Sequence, residues 1–398
     1  MERSPELAGK MTIDKIDVET TYIDVRTAID RGELEGAAKI LRKVAAERDV
    51  PAHILDKLAE VEMSLGEIPS AAKAWMSAIE ASCDPCDPEN AERCLYLAQL
   101  QEGDTARHSY LQGIQMLHVR LSCQTSSDIS TKKYGPSDEI RSETSVDFDS
   151  IIKAQLCTAY CALAELYLTD LCFELDAERS CQTALDQSMQ YNMTNSHEPI
   201  QGLASLRLSQ GLHEEASQLM HVAFERILDA QKSESPIETE VRLAAVRLLL
   251  ECAPHAPSCA ENAVELLSTL MQEDDENIEV WFLMGVALFQ QAPPDLLSAK
   301  RYLLTASQML DSVKQSMQTN EGVYDFPYGA QELLVKSQIE EIDRVWNNEN
   351  GHMDGVVETF ANTSSFSKYV NSSKTPIEAT EDKECRVNED IEELFVMD

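Results

Sequence analysis

The chain has 398 residues, with 33 Lys and Arg against 70 Asp and Glu, a formal net charge of −37. Its surface therefore repels nucleic acid, whose phosphates need cationic neutralisation, and steers cationic partners such as histones, ribosomal proteins or basic loops. Hydrophobic residues make up 43%, while Gly and Pro stand at only 14 each, which excludes collagen-like, elastic and wholly disordered chains and leaves a packed, mostly helical protein.

Residues 1–17 read as a flexible N-terminal segment whose start, Met1 to Lys10, is polar. The longest unbroken apolar run, Val280 to Phe289, is ten residues, about half of what a bilayer-crossing helix needs, so no membrane span is expected. Eleven cysteines without a secretory leader point to reduced thiols in the cytoplasm or nucleus.

From Val18 a pattern recurs 34 residues later: Gly32, Ala37, Leu41, Val44 and Pro51 become Gly66, Ala71, Trp75, Ala78 and Pro85. This is the tetratricopeptide spacing, in which Gly closes the turn after a first helix and Ala sits where the two helices of a pair touch. Further copies follow in chain order. Leu163-Ala164, Tyr167, Ala177, Cys181 and Ala184 form one. Leu203-Ala204, Gly211, Ala216, Met220 and Ala223 form another. Trp281, Met284-Gly285, Leu288, Ala299, Leu303 and Ala306 form a third, its turn lengthened by Ala292-Pro293-Pro294. Two degenerate copies, Cys94 to Leu117 and Ile237 to Leu270, fill the gaps. Seven helix pairs are expected, at about 18–51, 52–85, 87–120, 152–191, 197–230, 237–275 and 278–311.

The fold class is all-α: a tetratricopeptide right-handed superhelix over 18–348, an α-solenoid of stacked hairpins. Ser122 to Ser150, rich in Ser, Thr, Asp and Lys with Gly135-Pro136, reads as a flexible insertion. Ala330 to Trp346 has the helical period of a cap over the last repeat. Residues 349–398 carry 12 acids against 4 Lys and Arg and read as a disordered acidic tail.

Chemistry-bearing motifs are sparse. Cys83-Asp-Pro-Cys86 has the spacing of half a zinc site but no second pair accompanies it, so two cysteines in an inter-repeat turn are expected and no metal. Cys157 and Cys161 share a helix face and read as core. The histidines, among them His108, His118, His213 and His221, fall in different repeats. No Gly-rich phosphate loop follows a strand, so no catalytic residue, no cofactor and no enzyme activity are expected. A surface is expected instead. The exposed inner positions of the first helices are Asp56, Glu60, Glu165, Thr169, Glu198, Ser205, Glu279, Phe282 and Phe289, an acidic and aromatic wall suited to Lys and Arg side chains. Ordinary solvation of those acids is the alternative.

Several stretches depart from a generic repeat. Ala164-Glu-Leu-Tyr-Leu-Thr-Asp-Leu-Cys-Phe-Glu-Leu-Asp-Ala-Glu-Arg-Ser-Cys181 is the most specific, joined by Leu95-Tyr-Leu-Ala-Gln-Leu100, Leu203 to Gln210, Glu279 to Gly285 and Asp325-Phe-Pro-Tyr-Gly-Ala330. Over about residues 50 to 345 the chain resembles the eukaryotic family of dedicated assembly chaperones for the L-four protein of the large ribosomal subunit. The resemblance implies a superhelical tetratricopeptide protein that holds the long basic internal loop of that newly made ribosomal protein; a monomer is expected. It also implies protection from aggregation and degradation, and delivery into the nucleus for pre-60S assembly; the charge and the short apolar runs leave no direct nucleic-acid or membrane contact expected. The alternative is a tetratricopeptide adaptor or co-chaperone scaffold for another protein, which would need Lys, Arg and Asn on the inner wall to clamp a carboxylate.

Overall fold

A computed structural model describes residues 18–47, 50–82, 87–131, 142–192, 196–232, 237–320 and 326–350. The N-terminal segment 1–17, the Cys83–Cys86 turn and residues 351–398, which hold nearly all of the acidic tail, lie outside the described residues. Among the described residues the regular structure is helical, in fifteen helices. The chain divides into two compact units, residues 1–193 and 194–398, where the sequence reads a single array over 18–348.

The first unit holds α1 (Val18–Asp30), α2 (Leu34–Ala45), α3 (Ala52–Ser64), α4 (Ile68–Ala81), α5 (Pro88–Gln99), α6 (Gly103–Thr131), α7 (Ser142–Leu168) and α8 (Ala177–Tyr191). The second holds α9 (Glu198–Ser209), α10 (His213–Gln231), α11 (Thr239–Cys252), α12 (Ser258–Glu273), α13 (Ile278–Gln290), α14 (Leu296–Asn320) and α15 (Gly329–Asn350). Odd- and even-numbered helices pair as hairpins, each hairpin packs on the next within its unit, and α15 covers α14 and α13. This is an α-solenoid of tetratricopeptide hairpins.

The repeated residues sit where the period demands. Gly32, Gly66 and Gly211 have φ of 75°, 74° and 71°, the left-handed conformation that glycine adopts without a Cβ penalty. Each closes the same motif: at Gly66 its N–H donates to the Met63 carbonyl, and Glu67 N–H reaches back to the Glu62 carbonyl at 2.9 Å, satisfying carbonyls at the helix end. Five residues after those glycines Ala37, Ala71 and Ala216 are fully buried, since only a small side chain lets the paired helices approach. Leu41, Trp75 and Met220, one turn on, are buried between hairpins. Gly285 marks the tightest contact: a Cβ there would lie 2.6 Å from Leu303 Cγ and 3.1 Å from the Ala299 carbonyl oxygen, so α13 rests directly on α14.

The expected insertion, Ser122 to Ser150, falls partly on helix. Residues 122–131 continue α6 and residues 142–150 begin α7, leaving 132–141 outside the described residues. The composition is loop-like, but the first strong helix breaker in it is Gly135-Pro136, so nothing stops α6 earlier. Within α7, Asp149–Leu168 has a mean hydropathy of 1.2 and, by length and composition, is apolar enough to cross a membrane. Here it packs on α6 and α8 with Ile152, Leu156, Leu163 and Leu166 buried, as the core helix of a hairpin array does.

Candidate functional site

In the first unit side-chain bonds join α3 to α5 and α5 to α7. Arg93 of α5 is 3% exposed and reaches Asp56 of α3 through two bonds, Nε to Oδ1 at 2.8 Å and Nη2 to Oδ2 at 2.7 Å. It also donates to Asp87 at 3.0 Å, Asn90 at 2.8 Å and Glu89 at 2.6 Å. Hydrogen bonding to Asp56 holds the guanidinium proton well above the ordinary arginine range, against the opposing effect of burial. Asp87 does a second job, capping α5 by accepting from Glu89 N–H at 3.0 Å. Farther along, Gln155 of α7 donates to Glu92 of α5 at 2.8 Å.

Asp56, expected on a partner-binding wall, is therefore an internal bond of that wall. Glu60, one turn farther, stays 54% exposed and pairs with Lys57 on its own helix, a contact that solvent keeps weak. Glu165 is exposed near the end of α7, and Thr169, just past it, is exposed with its hydroxyl donating to the Glu165 carbonyl at 3.0 Å. Tyr96 of α5, not among the expected wall residues, is 48% exposed and stacks on Trp75 with ring centroids 5.4 Å apart. Its signal was the Leu-Tyr-Leu alternation at 95–97, where one aromatic interrupts an aliphatic stripe.

In the second unit Glu198, in the first turn of α9, and Ser205 are half-buried at the surface. The three expected residues of α13 fare differently. Phe282 is 1% exposed and lies in the core; Phe289 is partly buried against the same core; Glu279 is buried at 8%. The reason is that α13 is touched by α11, α12, α14 and α15, and a helix apolar on all sides is an interior helix. Glu279 is kept by Arg247 of α11, whose Nη2 and Nε lie 2.5 and 2.9 Å from Oε1. Burial pushes the Glu279 carboxyl above its usual range while Arg247 pulls it back. Asn277 caps α13 by accepting from Glu279 N–H at 3.0 Å. A second buried arginine, Arg242, holds Glu273 of α12 at 2.7 and 2.5 Å, which lowers that carboxyl.

Of the nine expected wall residues, the surface thus keeps Glu60, Glu165 and Thr169 exposed and Glu198 and Ser205 partly so. Asp56 serves as acceptor for the buried Arg93 and Glu279 for the half-buried Arg247, Phe282 is core and Phe289 leans on it. Two expected core cysteines, Cys157 and Cys161, are buried and half-buried on α7. The histidines are not all apart: His213 stacks on His255 at 3.8 Å between ring centroids. Chemically, the exposed faces carry carboxylates able to accept charge-assisted hydrogen bonds from Lys and Arg.

No family model matches the chain. A Schizosaccharomyces pombe protein described as a probable assembly chaperone of rpl4 is 28% identical over 330 residues, covering 82% of this chain and 89% of that protein. An Emericella nidulans protein with the same description is 25% identical over 362 residues, covering 82% of this chain and 84% of that one. Among solved structures, residues 1–338 of an assembly chaperone of RpL4, Acl4, superpose with a TM-score of 0.56 at 24% identity, covering 68% of this chain and 95% of that one. The chain is thus similar in sequence to the curated assembly chaperones of rpl4 along 82% of its length, and it shares the fold of a solved one.

Proposed function

We propose that this chain is a dedicated chaperone for a newly made basic protein of the large ribosomal subunit, of the rpl4 type, which it shields from aggregation and degradation and delivers for pre-60S assembly. The observation that carries this reading is the 28% identity to a probable assembly chaperone of rpl4 across 82% of the chain. The hairpin array and the net charge of −37 support it. The role is binding, without a chemical step.

The physical mechanism is charge masking. A segment destined for ribosomal RNA associates with any polyanion, so an acidic cradle competes with stray RNA until the proper rRNA, with many more phosphates, displaces it. The surface carboxylates Glu60, Glu165 and Glu198 supply part of that cradle. A carboxylate-clamp adaptor finds no support, because Arg93, Arg242 and Arg247 on the odd-numbered helices are engaged by the chain's own acids. Since such a client is made in the cytoplasm and assembled in the nucleus, the chaperone works in both, as a monomer with one client and without contact to membrane or nucleic acid.

Gentle purification of the tagged protein from cells tests the reading. A stoichiometric rpl4-type protein, free of assembled ribosomes, is the expected companion. Many unrelated partners in substoichiometric amounts would instead favour a general scaffold, and co-purifying RNA that survives loss of the client would defeat charge masking.

A further inference from the structure

The turn between α7 and α8 carries two large apolar side chains that stand fully exposed: Phe173 at 98% and Leu175 at 105%. Single apolar residues on a surface are ordinary. Two in alternate positions on a braced turn are not, because a mobile turn would fold such side chains back onto the protein. The bracing is explicit. Gly103 N–H donates to Asp170 Oδ2 at 2.9 Å and Arg107 Nη1 to Glu174 Oε2 at 2.7 Å. Leu171 is buried, and its N–H and that of Glu174 are bonded to the Leu166 and Leu171 carbonyls, each at 3.0 Å.

We infer that Phe173 and Leu175 are a second contact point for the basic client, seating in an apolar pocket of its folded part that is rimmed by Lys or Arg. The inference rests on the proposed function and adds to it a site outside the odd-helix faces. Charge selects the occupant. Asp170, Glu174, Asp176 and Glu178 flank the pair along the chain, with Glu174 paired to Arg107 and Asp176 to Arg179; four acids against these two arginines keep the turn net acidic, so it attracts a basic protein and repels a second copy of this acidic chain, whose identical turn would face it. Area selects the mode. A Phe and a Leu present about 300–400 Å² at most, well short of the roughly 800 Å² per partner of a free-standing interface. The patch therefore strengthens a contact made elsewhere, by raising effective concentration. The carboxylate of Glu165 and the hydroxyl of Thr169 lie on the same helix end, immediately before the turn. A turn ordered in advance also loses little freedom when it docks.

The test compares the full chain with its F173S/L175S variant by calorimetry at one salt concentration, against a full-length rpl4-type protein and against a synthetic peptide of that protein's basic loop. The expected result is a loss of about tenfold or more for the full-length client, with peptide affinity and melting temperature unchanged. Equal affinity of variant and native chain for the full-length client overturns the inference while leaving the proposed function standing; failure of the native chain to bind either ligand overturns both. A photoreactive phenylalanine analogue at position 173 gives a reading independent of the variant's folding. Adducts with the client are expected, and adducts only with a second copy of the chain would overturn the inference.

Discussion

Arg93 of α5 and Asp56 of α3 meet as a two-point fork, with the guanidinium 3% and the carboxylate 20% exposed. The pair bolts one odd-numbered helix to the next, and Arg247 with Glu279 repeats the relationship between α11 and α13. In each case the acid that looks available to a partner along one helix is consumed by its neighbour. Arg93→Ala should therefore destabilise the first unit by about 2–4 kcal/mol, since it strands Asp56 and Asp87 together without their cation. Arg93→Lys should recover only part of this, lacking the fork. Urea unfolding followed by circular dichroism measures both, and a cost below about 1 kcal/mol for Arg93→Ala would show that the bond is dispensable.

Gly285→Ala should cost about 1–3 kcal/mol, because its methyl would stand 2.6 Å from Leu303 Cγ and force the two helices apart or Leu303 out of its rotamer. Leu303→Ala in the same chain should cost less than the sum of the two single changes. Strictly additive melting data would count against a direct clash.

The surface carboxylates and the buried aromatic should separate cleanly. Glu60→Gln, Glu165→Gln and Glu198→Gln combined should weaken client binding severalfold at 50 mM salt and make little difference at 500 mM, as exposed charges are screened within a Debye length of about 8 Å at physiological ionic strength. Stability should change by less than about 1 kcal/mol. Phe282→Ala, at a site 1% exposed, should instead cost about 3–5 kcal/mol. Titrations at the two salt concentrations, with thermal melts of the same samples, report on both.

Stability should be lost in two stages as pH falls. His197 is buried, and burial together with Arg226 lowers its pKa; the folded state prefers the neutral ring, so its contribution is intact above the unfolded value of about 6.5 and declines below it. Glu273 is held low by its hydrogen bond to Arg242, and Glu332 by those to Lys314 and Lys336. Their stabilisation is present above the unfolded carboxylate value of about 4.3 and disappears as pH falls through the lowered values. Glu279 works in the opposite direction: burial raises its pKa, so protonation relieves a cost. Urea midpoints from pH 7 to pH 3 should show His197→Gln removing the earlier stage, Glu273→Gln flattening the later one, and Glu279→Gln removing a compensating gain that lies above about pH 4.3.

The hairpins were legible in the chain itself. Gly32, Gly66 and Gly211 announce their turns because a left-handed φ is a property of one residue, and the buried Ala and Leu positions follow from a helical period that repeats along the sequence. The acidic character that suits a basic client is likewise a matter of composition. What a linear pattern does not carry is which faces a neighbouring helix covers. Asp56 and Glu279 fall on the expected inner positions, yet each is claimed by an arginine more than 30 residues away. Phe282 has the spacing of a wall residue but is enclosed by four other helices. Phe173 and Leu175, conversely, sit in an apolar-rich stretch that composition alone would bury, and bonds from a different hairpin brace the turn on which they stand exposed. Helix and turn propensities act over a few residues and so can be read along the chain, whereas solvent exposure and ion pairing depend on distances set by packing between segments far apart in it.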